Sequence, residues 1–318
     1  MPSLKAVRTR IASVKSTQKI TRAMKMVAAA RLRRAQMRIT ELRPFALKTG
    51  EVLRSVAARV DEGEKIHPLL ARRDEKEVML VVISSDRGLA GGFNSQVNRA
   101  AERTMKEMQA EAKHVVLVTI GKKARDYFRR RGAEIVLELP GVNEKIDIIK
   151  ADDIAAQIID LYLAEKKAGA PQEGYLEKAE ETPGEQLEGE GVGGKLDAVY
   201  LIYNEFKSAM TQRVAIDRLL PVAEDGQSEG GASLDFLYEP NRKALLDNLI
   251  PLYVQITVFR ALLESVASEH GARMTAMDSA TNNAKDMISK LTLVYNRARQ
   301  AAITKELMEI IGGSEALK

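Results

Sequence analysis

The stretch MDSATNNAKDMISKLTLVYNRARQAA, residues 277–302, decides the fold. Its small or apolar positions step alternately by four and three: Met277, Thr281, Ala284, Ile288, Leu291, Tyr295, Ala298, Ala302. That stepping is the seam of a coiled coil. Towards the N-terminus it continues less cleanly through Leu252, Ile256, Phe259, Leu263, Val266 and His270. The whole segment Asn241–Ile311 reads as one helix, roughly 100 Å long at 1.5 Å per residue. No core of a compact domain is that long, so the helix is expected to project and to need a partner. Pro251 predicts a kink or a late start. Gly271 costs about 1 kcal/mol relative to Ala. Gly312-Gly313 predicts the stop.

A second long helix is expected over residues 3–60, with Ser3 as N-cap. Its apolar positions run Leu4, Val7, Ile11, Val14, then change phase to Ile20, Met24, Val27, and resume at Ala35, Ile39, Leu42, Ala46, Leu53, Val56, Val60. The change of phase predicts a stutter. Pro44 predicts a bend, and Asp61-Glu62-Gly63 an end. The small residues from Met24 to Ala30 predict close approach of the C-terminal helix, facing Ala284, Ile288, Leu291 and Ala298 in an antiparallel pair.

Between the helices the pattern changes. Val78–Ile83 is a continuous apolar run, as in a buried strand. Ser84-Ser85-Asp86-Arg87-Gly88-Leu89-Ala90-Gly91-Gly92-Phe93-Asn94 follows, then a helix over 95–112 with Asn94 or Ser95 as N-cap. Strand 114–120, helix 121–131, strand 134–139, helix 151–167 and strand 196–203 come next, with short strands at 214–220 and 236–238. Strands alternating with helices predict βαβ units and a mainly parallel sheet. The expected fold class is therefore α/β: a long antiparallel two-helix coiled coil (residues 1–62 and 240–318) with an inserted, small, Rossmann-like α/β domain (76–222). Residues 168–194, rich in Gly and Glu, read as a mobile acidic insert, with 172–190 expected to be disordered.

Charge is unevenly spread. Residues 1–43 hold twelve Lys and Arg against one acid, Glu41, while 165–190 hold eight Glu against three Lys. The 318 residues include no Cys, so there is no disulfide framework and no thiol chemistry. His67, His114 and His270 are too scattered to predict a metal site. No transmembrane run of about 18 apolar residues and no signal peptide are evident, and the expectation is a soluble protein of a reducing compartment.

Two chemistries compete with a purely structural reading. The Gly88–Gly92 turn sits where nucleotide-binding loops sit, but its spacing is neither Gly-x-Gly-x-x-Gly nor a phosphate loop ending in Gly-Lys-Ser/Thr. A permissive strand-to-helix turn is the plainer reading. The basic N-terminal helix suits phosphates, yet residues 1–43 carry no aromatic ring for stacking before Phe45. Its acid-poor composition is also that of a transit peptide, but the pattern continues past residue 40 without a break.

Three blocks resemble one family. Ile11–Val14 with Thr17–Ala28, then Ser85–Gly92, then Leu293–Thr304 resemble, in order, the start, central loop and C-terminal signature of the γ subunit of F-type ATP synthases. The acidic insert departs from the bacterial pattern, and the cysteine-bearing regulatory insert of the chloroplast form is absent. The resemblance implies a non-catalytic rotor shaft that couples ion-driven rotation of a membrane ring to conformational changes in catalytic subunits. It implies as partners the catalytic and non-catalytic head subunits, a small ε companion and the membrane rotor ring, with no cofactor, no nucleic acid and no transmembrane segment of its own. It implies a place at the cytoplasmic face of a bacterial inner membrane. It also implies that Met24 and Arg273 meet an acidic loop of a catalytic subunit, that Arg299, Gln300 and Thr304 hydrogen-bond to catalytic subunits, and that Tyr203, Glu205 and Phe206 lie where the family meets the ring and the companion.

Overall fold

A computed structural model describes residues 3–57, 67–71, 73–142, 146–164, 196–222 and 242–315. The expected strand at 236–238, the acidic insert and the end of the first helix near Asp61 lie outside them. Two long helices, α1 (Leu4–Ala57) and α5 (Arg242–Glu315), flank β1 (Glu77–Ile83), α2 (Phe93–Ala110), β2 (His114–Ile120), α3 (Lys122–Arg129), β3 (Ile135–Leu139), α4 (Ile148–Leu163), β4 (Ala198–Phe206) and β5 (Gln212–Leu220). The sheet order is β3-β2-β1-β4-β5. The first four strands run parallel, and β5 closes the edge antiparallel to β4.

Strand alternation explains the layers. Val78, Leu80 and Val82 pack with Val97, Ala101, Ala124 and Phe128 of α2 and α3. Met79, Val81 and Ile83 face the opposite way, to Ile154, Ile158 and Tyr162 of α4 and to Ile250, Val254, Val258 and Leu262 of α5. Both faces are covered, so the central strand β1 is apolar at every position from Val78 to Ile83. Leu53 and Val56 of α1 join this second layer. The lower half of α5 is therefore core of the α/β unit, and only its upper half projects.

The upper half obeys the stepping read from sequence. From 281 to 311, the residues that are not exposed are 281, 284, 288, 291, 295, 298 and 302. In α1 the expected stutter does not occur. The seam runs unbroken as 4, 7, 11, 14, 18, 21, 25, 28, 32, 35, 39, 42, 46, 49, 53, 56. Gln18, Thr21 and Lys25 occupy seam positions, while Ile20 and Val27 are more than half exposed. The polar seam residues find partners across the coil: Thr21 and Thr281 share a hydrogen bond of 2.8 Å, and Lys25 Nζ lies 2.6 Å from Asp278. These pairs also correct the expected register. Continued along the coil, they set Ile288 and Leu291 opposite residues near 11–14, and set Met24–Ala30 opposite residues near 273–278. Further down, Leu32 and Ala35 pack on Ala267.

Other boundaries moved for local reasons. α5 runs through Pro251, and the buried Leu246, Ile250 and Val254 on either side hold it helical. It also runs through Gly312-Gly313 to Glu315. Gly92, not Asn94 or Ser95, caps α2, because the Asn94 side chain folds back on the preceding turn. Ser3 does cap α1, its hydroxyl accepting from the Ala6 amide at 3.3 Å. Within Leu245–Gly312, α5 contains an 18-residue window of mean hydropathy 1.4, long and apolar enough by composition to cross a membrane. Much of that apolar surface is turned onto the sheet and α1, as the burial of Val254, Val258, Ala261 and Leu262 shows.

Candidate functional site

The turn after β1 is built residue by residue. The Ser84 hydroxyl accepts from the Ala124 amide at 2.7 Å. Asn94 Oδ1 accepts from the Ser85 amide and hydroxyl, both at 3.0 Å, while its amide group donates to the Arg87 carbonyl at 3.3 Å. Asp86 Oδ1 accepts from the Lys122 and Gly141 amides. Gly121 is obligatory, since a Cβ there would lie 2.3 Å from the Ser84 carbonyl oxygen. The turn itself carries positive φ at Leu89 and Gly91; Gly adopts that region freely, and Leu does so only under constraint.

This turn leaves the carboxyl end of β1 beside that of β4, where the strand order reverses. In doubly wound sheets that crevice is the usual ligand site. Here α5 occupies it. Ala272 packs with Ala90 and Phe93. The Ser268 hydroxyl donates to the Asn204 carbonyl at 2.9 Å, and Asn204 in turn donates to the Phe93 carbonyl at 3.4 Å. On the neighbouring side, Thr275 donates to the Ala209 carbonyl at 3.1 Å. A Cβ at Gly271 would lie 3.3 Å from the Ala209 backbone and 3.4 Å from the Phe206 ring. Gly271 therefore has a reason beyond propensity: it lets the β4–β5 hairpin press on the shaft. The turn and the hairpin together form a collar around residues 268–276.

The collar encloses charge. Arg273 Nη2 lies 2.7 Å from Glu269 Oε1, with side chains only 11% and 9% exposed, and donates to the Gly88 carbonyl at 3.2 Å. Burial pushes the Glu269 carboxyl up, against the pull of Arg273. Burial, with Arg273 and Arg31 nearby, lowers His270 to about 4, so it is neutral at pH 7.

The residues singled out in the sequence fall in three places. Met24 is half-buried beside the α1 seam, at the level of the collar. The Arg273 guanidinium is turned inward, onto Glu269 and Gly88. Tyr203 is 3% exposed and donates to Asp217 at 2.8 Å; Phe206 packs against the shaft; Glu205 is half-buried and pairs with Lys207 at 2.6 Å. Arg299, Gln300 and Thr304 are exposed on the last turns of α5. At the register fixed by Thr21 and Lys25, α1 begins opposite residue 298 or so, leaving those turns beyond it. Ile303, Leu307, Met308 and Ile310 are each more than half exposed there. The residues missed in sequence are Ser268, Glu269, Gly271 and Thr275. The available signal was three small residues at i, i+3 and i+7, one helix face. Among the described residues, no three His, Cys, Asp or Glu side chains gather as a metal site would require.

A family model described as ATP synthase matches residues 3–317. The chain is 49% identical over 351 aligned positions to an ATP synthase gamma chain of Sorangium cellulosum (strain So ce56), and 45% identical over 318 to one of Geobacter sp. (strain M21), with 100% of each chain covered in both cases. Among solved structures, it is similar to a chain of the Tetrahymena thermophila mitochondrial ATP synthase central stalk and c-ring, at 26% identity and a TM-score of 0.56, covering 82% of this chain and 99% of that one. It shares its fold with a chain of the Euglena gracilis mitochondrial ATP synthase in an OSCP/F1/c-ring structure, at 20% identity and a TM-score of 0.63, covering 99% and 94%. A collar that fills its own ligand crevice with a shaft, and relatives that align over their full length, lead to one conclusion: the chain belongs to the γ-subunit family of F-type ATP synthases.

Proposed function

We propose that the chain is the central rotor shaft of its ATP synthase, a non-catalytic subunit that carries rotation from a membrane ring to the catalytic head. The observation that carries this reading is the asymmetry of α5, anchored in an α/β unit at one end and free at the other. The free end presents Arg299, Gln300 and Thr304 among exposed apolar residues, a surface suited to a surrounding ring of head subunits. Met24 and the cations of the N-terminal helix that lie off its seam meet acidic loops of the catalytic subunits, where they set register and encounter more than affinity. Arg273 acts in that contact through the Gly88 turn that it holds. Glu205 offers its exposed edge to the ring and the ε companion, with Tyr203 and Phe206 fixing the strand beneath it. Turning a coil with unlike faces presents each head subunit with a different surface in sequence, which is how one shaft favours different conformations in turn. The complex sits on the cytoplasmic face of a bacterial inner membrane.

Reconstitution tests this. Head subunits and membrane ring are combined in vesicles with and without the chain, and ATP hydrolysis and proton pumping are followed together. The expected result is no hydrolysis by the chain alone and no pumping without it. Pumping in its absence, or nucleotide hydrolysis by the purified chain, would overturn the reading.

A further inference from the structure

We propose that Glu269 is a positioning residue for coupling: through Arg273 it latches the Ser85–Phe93 turn to the shaft and fixes the direction in which the free coil leaves the α/β unit. The proposal rests on the shaft reading. Glu269 and Arg273 stand one helical turn apart on the same helix, so their pairing alone ties nothing together. Its effect is to aim the guanidinium, whose Nη2 reaches both Glu269 Oε1 at 2.7 Å and the Gly88 carbonyl at 3.2 Å.

The other contacts between turn and shaft are of a different kind. Ala90, Phe93 and Ala272 form an apolar patch, and Gly91 leaves room for no more than a Cβ before Ala276 is touched. Such contacts resist separation, but they are not directional and resist twisting poorly. The hydrogen bond from Arg273 is directional. A buried ion pair is a weak stabiliser, because desolvation offsets most of its attraction, and specificity of arrangement is one role such pairs serve. Among the described residues, above the collar α5 buries a single stripe, the one that pairs with α1. Arg31 and Asp86 lie within electrostatic reach of the pair, and the neutral His270 has its Nδ1 3.4 Å from Arg273 Nη1. Loss of the carboxylate removes the charged partner that sets the angle of the guanidinium onto Gly88.

The test uses the whole reconstituted complex and the ratio of ATP-driven pumping to ATP hydrolysis. Glu269→Gln should lower that ratio several-fold with hydrolysis near the parental rate. A second arm replaces the latch. A Cβ on residue 91 would lie 3.8 Å from that of Ala276, a separation suited to a disulfide, and the chain has no other Cys. Because φ at residue 91 is positive and a Cys there is strained, the reduced and oxidised double-Cys chain with Glu269 intact serves as the parental reference. Gly91→Cys with Ala276→Cys in the Glu269→Gln background should recover the parental ratio when oxidised and lose it when reduced. If Glu269→Gln fails to assemble, assembly and pumping of the oxidised form support the proposal, and their failure overturns it. A parental ratio in Glu269→Gln, or a low ratio that oxidation leaves unchanged, also overturns it. Neither result touches the shaft reading, which fails only if vesicles lacking the chain still pump.

Discussion

One helix holds two regimes. Between Leu246 and Met277, α5 is buried on several faces, against the sheet, α1, the turn and the hairpin. Between Asp278 and Glu315 it buries a single stripe. The lower half draws its stability from fully buried Ile250, Val254, Val258 and Leu262. The upper half has small or half-exposed seam residues, such as Thr281, Ala284 and Ile288, and a polar layer at Thr21–Thr281 and Lys25–Asp278. Continuity of secondary structure thus says little about where stability lies. Helical order in the upper half rests on one weak seam, and the exposed apolar residues of its last turns call for cover from outside the chain.

The largest expected effect breaks the lower half. Val258→Asp places a carboxylate at a position with no exposure and should cost about 4 kcal/mol or more, read as loss of cooperative urea unfolding. Ile288→Asp, in the half-exposed upper seam, should cost only about 1–2 kcal/mol and leave the unfolding of the α/β unit unchanged. Equal losses at the two sites would erase the distinction between the halves.

Gly271→Val sharpens the boundary between them. The added carbons meet the Ala209 backbone, and a loss of about 2 kcal/mol in thermal unfolding is expected. Gly271→Ala should be nearly neutral, because about 1 kcal/mol of helix propensity offsets the crowding.

The pH dependence of the collar is smaller. His270 is lowered from 6.5 to about 4 in the folded chain. Between those values the unfolded chain binds the extra proton, so this contribution to stability is complete above pH 6.5 and is lost as pH falls towards 4. Glu269, raised by burial, works in the opposite direction: it favours the folded state more as pH falls and less as pH rises through its folded value. The difference between the parent and His270→Gln isolates the histidine. The parent should lose more stability than the variant between pH 7 and pH 5 in urea titrations.

Smallest is the surface pair Lys25–Asp278, with side chains 42% and 47% exposed. Asp278→Asn should cost under about 1 kcal/mol, and the cost should fade with added salt.

The same contrast explains what could be read in the sequence. The strands were legible because burial on both faces leaves uninterrupted apolar runs, and the upper α5 seam was legible because a single stripe yields a clean period. The α1 seam misled. Ile20 and Val27, apolar but exposed, imitate a core, while Gln18, Thr21 and Lys25 sit in the seam and look like surface. Periodicity assumes that apolar means buried, and a helix with a second, outward apolar surface violates that. The lower half of α5 was misread for the opposite reason: burial on several faces blurs any stripe. Gly271 appeared as a cost because its benefit lies in Ala209 and Phe206, more than sixty residues away. Of the site residues, those on the free end of α5 are exposed as their proposed roles require, whereas Tyr203 turned inward with Val199 and Leu201 on its strand face into the main core, and Phe206 and Arg273 turned onto the collar.

Hydrogen exchange, measured for the chain alone and within the reconstituted head, tests the two-regime account most directly. Slow exchange is expected for amides of 246–277 in both states. Amides of 281–311 should exchange rapidly in the isolated chain, through opening of the weak seam, and become protected in the assembly. Equal protection of the two halves in the isolated chain, or an upper half left unprotected inside the head, would contradict it.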